Sequence, residues 1–158
     1  MEFLLYCIII MIATVAADQL TKVLVLEHLA GGAGFPLIPG VFHFTYVENR
    51  GAAFGMLSEH RWIFMVLSVI AIGVLVLYLA IAKPKSLLMR TAVALIAGGG
   101  IGNMIDRAIR GFVVDFIDVK AVWQYVFNVA DAAVCVGCGL LILWLILSEV
   151  KEKKSKSA

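Results

Sequence analysis

Four long apolar stretches constrain this chain more than any other feature of its sequence. We place them at about residues 3–26, 62–82, 87–106 and 129–147. A helix needs roughly 20 apolar residues to cross about 30 Å of hydrocarbon, so each stretch is long enough for one membrane span. Four spans and their connecting loops use almost all of the 158 residues. We therefore expect a single membrane-embedded domain over residues 1–158.

The composition supports this interpretation and excludes several other classes of protein. Apolar residues make up 63% of the chain and charged residues 15%, against about 45–50% and about 25% in soluble domains. A soluble protein with this composition could not cover its surface with polar groups. The net charge of +2 is too small for a nucleic-acid-binding surface, so we expect no nucleic-acid partner.

The segment between the first two spans has a different pattern. Glycines and prolines at 31–40 are turn signals, and the run Val41–Val47 is aromatic and β-branched with a loose alternation. Such a run predicts a short strand or hairpin outside the bilayer. The predicted fold class is therefore an all-α integral membrane protein, a four-transmembrane-helix bundle with a small extracytoplasmic β-structure between helices 1 and 2.

Other residues within the spans favour packing roles. The glycine-rich run Gly98–Gly102 lies in span three, where glycine allows membrane helices to approach closely. Cys7, Cys135 and Cys138 all fall in apolar stretches, and we interpret them as small apolar residues rather than as a redox pair. The three histidines lack metal-ligand spacing, so we assign them no metal, and we expect no cofactor.

Charge placement predicts the orientation in the membrane. Basic residues concentrate in the segments 83–90 and 148–158, which an even number of spans separates. The positive-inside rule makes both segments cytoplasmic, and residues 148–158 form a basic cytoplasmic tail. Both chain termini are then cytoplasmic, whereas the segments 27–61 and 107–127 face outward.

Polar side chains collect near the outward ends of three spans. They are Asp18 and Lys22 near the outer end of span one, Asn103, Asp106 and Arg107 at the outer end of span three, and Asn128 and Asp131 at the start of span four. Spacings of three and four residues place each group on one helix face. Polar groups in a membrane cost roughly 2.5–3.5 kcal/mol on insertion scales, so they indicate function by default. The alternatives to a functional role are an Asp18–Lys22 ion pair and, for Asp106, either an ion pair with its neighbour Arg107 or a position at the helix end.

Clustered aspartates suggest acid–base chemistry. Two carboxylates that share a site cannot both ionise easily, so one keeps a proton while the other activates water, as in aspartic proteases. Spacing does not decide which two aspartates pair, but the apolar neighbours of Asp115 and the membrane-entry position of Asp131 favour those two. Asp118 lies close to Lys120, and we interpret it as a solvated loop residue.

Two other classes of function compete with an enzyme. A small proton-coupled transporter would use aspartates as a relay, but its ionisable groups should lie near the bilayer midplane. A structural scaffold without chemistry would explain the glycines and the cysteines. It would not explain why aspartates collect at one membrane surface.

Five motifs carry a resemblance to a known family. They are Asp18-Gln-Leu-Thr-Lys22, Asn49-Arg-Gly51-Ala-Ala-Phe54, Gly102-Asn103-Met-Ile-Asp106-Arg107, Val113-Val-Asp115-Phe and Phe127-Asn128-Val-Ala130-Asp131. In this order, and over most of the chain, they resemble the motif series of the lipoprotein signal peptidases, or signal peptidase II. The resemblance implies a membrane aspartic endopeptidase that removes the signal peptide from diacylglyceryl-modified bacterial prolipoproteins by cleaving just before the lipobox cysteine.

The resemblance also implies roles for individual residues. The catalytic pair falls on Asp115 and Asp131. The residues implied to line, support or bind substrate at the site are Asp18, Lys22, Asn49, Gly51, Asn103, Asp106, Arg107, Asn128 and Ala130. The resemblance implies a short extracytoplasmic helix beside the site. The site itself is expected to face the outer side of the bacterial inner membrane. The expected partners are the lipidated prolipoprotein and membrane lipid, and no sequence feature demands an oligomer, so we expect a monomer.

Overall fold

Four helices form the body of the molecule in a computed structural model that describes residues 2–51, 61–121 and 124–156. They are α1 (Glu2–His28), α2 (Arg61–Ala82), α3 (Leu87–Ile109) and α4 (Val129–Lys156). Each is long and apolar enough to cross a membrane. Large apolar side chains such as Ile12, Ile81 and Ile142 are exposed on their outer surfaces. This surface suits lipid and confirms the prediction of a four-helix membrane protein.

Helix α3 is the centre of the bundle, because it packs against each of the other three helices. Its glycines make this possible. A Cβ atom added at Gly98 would lie 2.9 Å from Thr14 Cβ of α1, and one at Gly102 would lie 2.5 Å from Asp18 Oδ2. A Cβ atom at Gly99 would collide with the Ala130 carbonyl oxygen of α4. The glycine run therefore serves close helix packing, as predicted.

A small antiparallel sheet covers one end of the bundle. Its strands are β1 (Phe35–Ile38), β2 (Phe42–Asn49), β3 (Val113–Asp118) and β4 (Val126–Phe127), and they lie in that order across the sheet. The β1–β2 hairpin confirms the β-structure predicted between the first two helices. The segment between α3 and α4 contributes the other two strands, which the sequence pattern did not predict.

The sequence pattern did not predict strand β3 because both faces of the strand are buried. Val113, Val114, Asp115 and Phe116 are all buried, so the strand shows no alternation of polar and apolar residues. Val114 and Phe116 form an apolar cluster with Val25 of α1, and this cluster fixes β3 against the end of α1.

Three further features complete the fold. Cys7 is buried and unpaired, whereas Cys135 and Cys138 are unpaired and exposed on α4. Helix α4 continues to Lys156. The short helix that the resemblance implies is not among the elements of residues 2–51, 61–121 and 124–156.

Candidate active site

Asp115 lies in the middle of β3 and is only 2% exposed. Two neutral amide groups hold its carboxylate. Asn49 Nδ2 donates to Asp115 Oδ2 at 2.9 Å, and Asn128 Nδ2 donates to Asp115 Oδ1 at 2.6 Å. Asn49 reaches it because the sheet register places this residue opposite Val113 at the end of β2.

Asp131 lies in the first turn of α4, where a reciprocal capping arrangement holds it. Asn128 donates its backbone N–H to Asp131 Oδ2 at 3.2 Å, and its side-chain oxygen accepts the Asp131 N–H at 2.8 Å. This is the capping box that an Asn-x-x-Asp sequence can form at a helix start. The second carboxylate oxygen of Asp131 accepts a hydrogen bond from Asn103 Nδ2 at 2.7 Å.

Two asparagines connect the two carboxylates. Asn128 Nδ2 donates both to Asp115 Oδ1 and to Asn103 Oδ1, the latter at 3.1 Å. A continuous chain of hydrogen bonds therefore runs from Asp115 through Asn128 and Asn103 to Asp131. We call Asp115 and Asp131 the aspartate pair.

The environment of Asp115 favours its neutral form. Burial raises the pKa of its carboxyl group from 3.8 to about 7, and the negative charge of Asp131 acts in the same direction. The bonds from Asn49 and Asn128 and the charge of Lys22 oppose these effects without cancelling them. Near neutral pH the Asp115 carboxyl group can therefore both hold and release a proton.

A buried group of charges lies beside the aspartate pair. It consists of Asp18, Lys22, Asp106 and Arg110, and we call it the ion cluster. Lys22 Nζ lies 2.9 Å from Asp18 Oδ2, 2.9 Å from Asp106 Oδ2 and 2.9 Å from Asn103 Oδ1. An ammonium group has three N–H donors, so each has one acceptor. The predicted Asp18–Lys22 ion pair is confirmed.

The interpretation of Asp106 as a partner of Arg107 is wrong. Asp106 forms ion pairs with Lys22 and with Arg110, the latter at 2.5 Å. Four residues bring Arg110 back over Asp106 on the same helix face, whereas the adjacent residue points elsewhere. Arg107 instead donates to the backbone oxygen of Gly51 at 3.3 Å and so joins α3 to the loop that follows β2.

The two carboxylates of the ion cluster also hold the backbone around the aspartate pair. Asp18 Oδ1 accepts the Ala130 N–H at 2.9 Å, and Asp106 Oδ2 accepts the Val114 N–H at 3.1 Å. Ala130 directly precedes Asp131, and Val114 directly precedes Asp115. Each carboxylate of the ion cluster thus accepts a hydrogen bond from the backbone N–H of the residue just before one member of the aspartate pair.

The described residues bring all the predicted site residues into one connected region. Asn49, Asn103 and Asn128 contact the aspartate pair, and the remaining residues support it through the contacts given above. The interpretation of Asp118 is also wrong, because this residue is not solvated. It is 7% exposed, and it accepts a hydrogen bond from Thr45 Oγ1 at 3.0 Å, because β3 extends to this residue and pairs with β2. Residues 52–54 of the second motif lie outside the described residues.

Sequence reasoning missed two members of the network. Gln19 Nε2 lies 3.1 Å from Asp18 Oδ2, 3.1 Å from the Gly102 oxygen and 3.2 Å from Asp106 Oδ1. Arg110 was the other. The i, i+4 spacing of Asp106 and Arg110 was available in the sequence as a signal, but the adjacent Arg107 was considered as the partner of Asp106 instead.

A cavity lies near the site, at the end of α3. Its volume is about 320 Å³, and it is lined by Met65, Arg107, Ala108, Ile109, Arg110 and Gly111. Within residues 2–51, 61–121 and 124–156, no group of three or more histidine, cysteine or acidic side chains is arranged to hold a metal ion.

The chain is similar in sequence to lipoprotein signal peptidases and in fold to a bacterial membrane enzyme. Residues 10–147 match the family model described as signal peptidase (SPase) II. The lipoprotein signal peptidase of Clostridioides difficile is 43% identical over 92% of this chain and 98% of its own length, and that of Halalkalibacterium halodurans is 42% identical over 95% and 97%. A solved structure described as a bacterial membrane enzyme superposes with a TM-score of 0.85 at 33% identity, over 91% of this chain and 89% of that one.

The residues matched by the family model include the aspartate pair and the ion cluster. The sequence similarity extends over nearly the full length of the relatives, and the structural similarity covers 91% of this chain. The chain therefore belongs to the signal peptidase II family, the aspartic-type membrane proteases that remove signal peptides from prolipoproteins.

Proposed function

We propose that Asp115 and Asp131 are the catalytic pair and that the substrate is a diacylglyceryl-modified prolipoprotein. One observation carries this proposal. A buried carboxylate of β3 and a half-buried carboxylate of α4 are joined through neutral amide side chains. Neutral partners leave a proton free to move between the carboxylates, whereas a direct cationic partner would keep them ionised.

The proposed reaction is hydrolysis of one peptide bond by a water molecule. The ionised carboxylate removes a proton as the water oxygen forms a bond to the scissile carbonyl carbon. The protonated carboxyl group donates a hydrogen bond to the carbonyl oxygen. When the C–N bond breaks, a carboxyl proton passes to the leaving amine of the lipid-modified cysteine. The pair ends the cycle with one shared proton, as it began.

Groups around the pair are suited to hold an extended peptide. Arg107 and Asn49 present polar groups next to the pair, and polar groups that fix a reacting bond can supply several kcal/mol of the barrier reduction. The cavity beside Arg107 combines the apolar side chains of Met65 and Ile109 with polar lining from Arg107 and Arg110. We propose that the peptide binds here while the acyl chains remain in the bilayer.

The placement of charges supports an extracytoplasmic site. The sheet and the aspartate pair lie at the end of the bundle where α1 and α3 finish and α4 begins. The basic residues of segment 83–90 and of the last turns of α4 lie at the opposite ends of these helices. By the positive-inside rule, we propose cytoplasmic termini and an outward-facing site. Because one chain supplies both aspartates, we propose a functional monomer.

A cleavage assay tests the proposal. Purified protein in detergent is given a diacylglyceryl-modified prolipoprotein, and the signal peptide released is measured. We expect Asp115→Asn and Asp131→Asn each to lower kcat by more than about 1,000-fold, because the proton acceptor or donor is lost. The matched control is Asp118→Asn, a change of the same kind three residues along β3.

The outcomes separate the function from the residues. Full cleavage by the control with none by either pair variant supports both. Normal cleavage by Asp115→Asn would exclude this pair while leaving the activity intact. Failure of the parent protein on confirmed lipidated substrate would exclude the proposed substrate.

A further inference from the structure

Arg110 lies directly after the last residue of α3 and belongs to none of the five motifs. Its guanidinium group contacts Asp106 Oδ1 at 2.5 Å and Gln19 Oε1 at 3.4 Å. We propose that Arg110 is a positioning residue, which supplies the second positive charge of the ion cluster and, through Asp106, holds the strand that carries Asp115. This inference rests on the proposed catalytic role of Asp115.

The first argument is the balance of buried charge. Asp18, Lys22 and Asp106 all have 0% exposure. Lys22 contacts both carboxylates, so without Arg110 one positive charge would serve two negative charges. An uncompensated charge in such a site is strongly destabilising. Arg110, whose side chain is 19% exposed, brings the cluster to two positive and two negative charges.

The second argument is that the two carboxylate oxygens of Asp106 have different hydrogen-bond partners. Oδ1 accepts hydrogen bonds from Arg110 and Gln19, while Oδ2 accepts from Lys22 Nζ and the Val114 N–H. Arg110 binds the oxygen that faces away from β3. It therefore fixes the rotation of the carboxylate and leaves the other oxygen directed at the peptide unit before Asp115.

The third argument is that charge in the cluster acts on the reaction centre. Lys22 lowers the pKa of Asp115 through space, so loss of a neighbouring positive charge should favour the protonated form of the pair. Asp106 faces Lys22 of α1 and Arg107 of α3, and Arg110 faces Tyr46 of β2. Asp18 shares the Lys22 ammonium group with Asp106, and Asp115 and Asp131 interact with Arg107. None of the described groups among these replaces the charge of Arg110 on Asp106 Oδ1.

The experiment compares Arg110→Gln with Arg110→Lys in the full-length protein. Cleavage of the lipidated prolipoprotein is measured from acidic to basic pH, with kcat and KM determined separately. For Arg110→Gln we expect kcat to fall by about 10-fold to 100-fold, the range that follows a small misplacement of a reacting group, with KM changed less than about two-fold. Both limbs of the pH profile should move to higher pH. Arg110→Lys should recover most of kcat and the parental profile.

The matched control is Lys120→Gln, which removes an exposed cation from another aspartate, 3.8 Å away. We expect it to leave kcat and the pH profile unchanged. The inference is overturned if Arg110→Gln lowers only thermal stability while the pH profile and kcat per folded molecule stay parental. It is also overturned if Arg110→Lys is as impaired as Arg110→Gln.

A double-mutant cycle with Asp106→Asn keeps the inference testable if Arg110→Gln folds poorly. Removing both partners leaves only the Asp18–Lys22 pair, which is neutral overall. Thermal unfolding should therefore show that Arg110→Gln is far less harmful in the Asp106→Asn background, a non-additivity expected only of coupled residues. Simple additivity would overturn the inference. This readout needs no cleavage, so it distinguishes failure here from failure of the proposed function.

Discussion

Four aspartates surround the site at one end of the helix bundle, and the two in the ion cluster differ from the two in the aspartate pair. Asp18 and Asp106 contact the Lys22 ammonium group at 2.9 Å. Asp115 and Asp131 receive their side-chain hydrogen bonds from asparagine amides. Asp115 is buried like Asp18 and Asp106, and Asp131 is half-buried, so burial does not distinguish Asp115 from the aspartates of the ion cluster.

The partner atoms account for the difference. A neighbouring cation stabilises the charged form of a carboxylate, and that carboxylate becomes a rigid acceptor for backbone N–H groups. A neutral amide stabilises it much less, and burial then raises the pKa of Asp115 to about 7. The first environment is suited to hold structure and the second to exchange protons. Four predictions, ordered by their expected effect on the free energy of unfolding, test this distinction.

The largest effect is expected for Lys22→Met. This change leaves two buried carboxylates with Arg110 as their one remaining cation, and loss of one partner from a buried ion pair costs about 3–5 kcal/mol. Unfolding in detergent, followed by circular dichroism, measures the loss. Lys120→Met, at a residue whose side chain is 53% exposed, is the control and should cost little. Equal effects would show that the ion cluster is not a special source of stability.

The second-largest effect on the free energy of unfolding is expected from the ionisation of Asp115 as pH rises. Since the pKa of Asp115 rises from 3.8 to about 7 on folding, the folded state binds the proton more tightly between these values. The free energy of unfolding should therefore fall as pH rises from about 4 to 7, by about 4 kcal/mol at most. Asp115→Asn should abolish most of this fall. An unchanged pH dependence in that variant would show that Asp115 ionises normally.

The third effect concerns the approach of α1 and α3. Gly102→Ala would place a Cβ atom 2.5 Å from Asp18 Oδ2, and overpacking of this kind costs about 1–3 kcal/mol. It should also weaken the contact between Asp18 and the Ala130 N–H. Gly139→Ala is the matched control, because a Cβ atom there meets nothing within 4 Å. A Gly102→Ala protein as stable as the control would contradict the packing geometry.

The smallest effect is expected at the far end of β3. Thr45→Val removes the 3.0 Å hydrogen bond to Asp118, a loss of about 1 kcal/mol, and Thr45→Ser should retain the bond. Cleavage of the lipidated substrate should be the same for both variants, because Asp118 lies outside the ion cluster and the aspartate pair. A ten-fold loss of cleavage in Thr45→Val alone would place Asp118 in the functional site.

The sequence was most informative where a signal is local or periodic. The four apolar stretches each gave a helix, the Val41–Val47 run gave a strand, and the spacing of Asp18 and Lys22 gave an ion pair. The motifs around Asp115 and Asp131 led to the family that the comparisons confirmed. Each of these inferences depends on residues within a few positions of one another.

Errors arose where a neighbour in space mattered more than a neighbour in sequence. The adjacent Arg107 was one candidate partner of Asp106, although its ion-pair partners are Lys22 and Arg110. Asp118 looked solvated beside Lys120, although β2 covers it. Strand β3 lacked a pattern because both of its faces are buried.

By itself the sequence determined that this chain forms four membrane helices, since the energy of placing apolar residues in lipid is additive along the chain. It also determined which side chains are available for chemistry. Only the tertiary structure decided which carboxylates meet cations and which meet amides, because those partners come from α1, α3, β2 and α4 at once. A carboxylate's protonation depends on charges and burial in three dimensions, and no spacing along one helix can specify that environment.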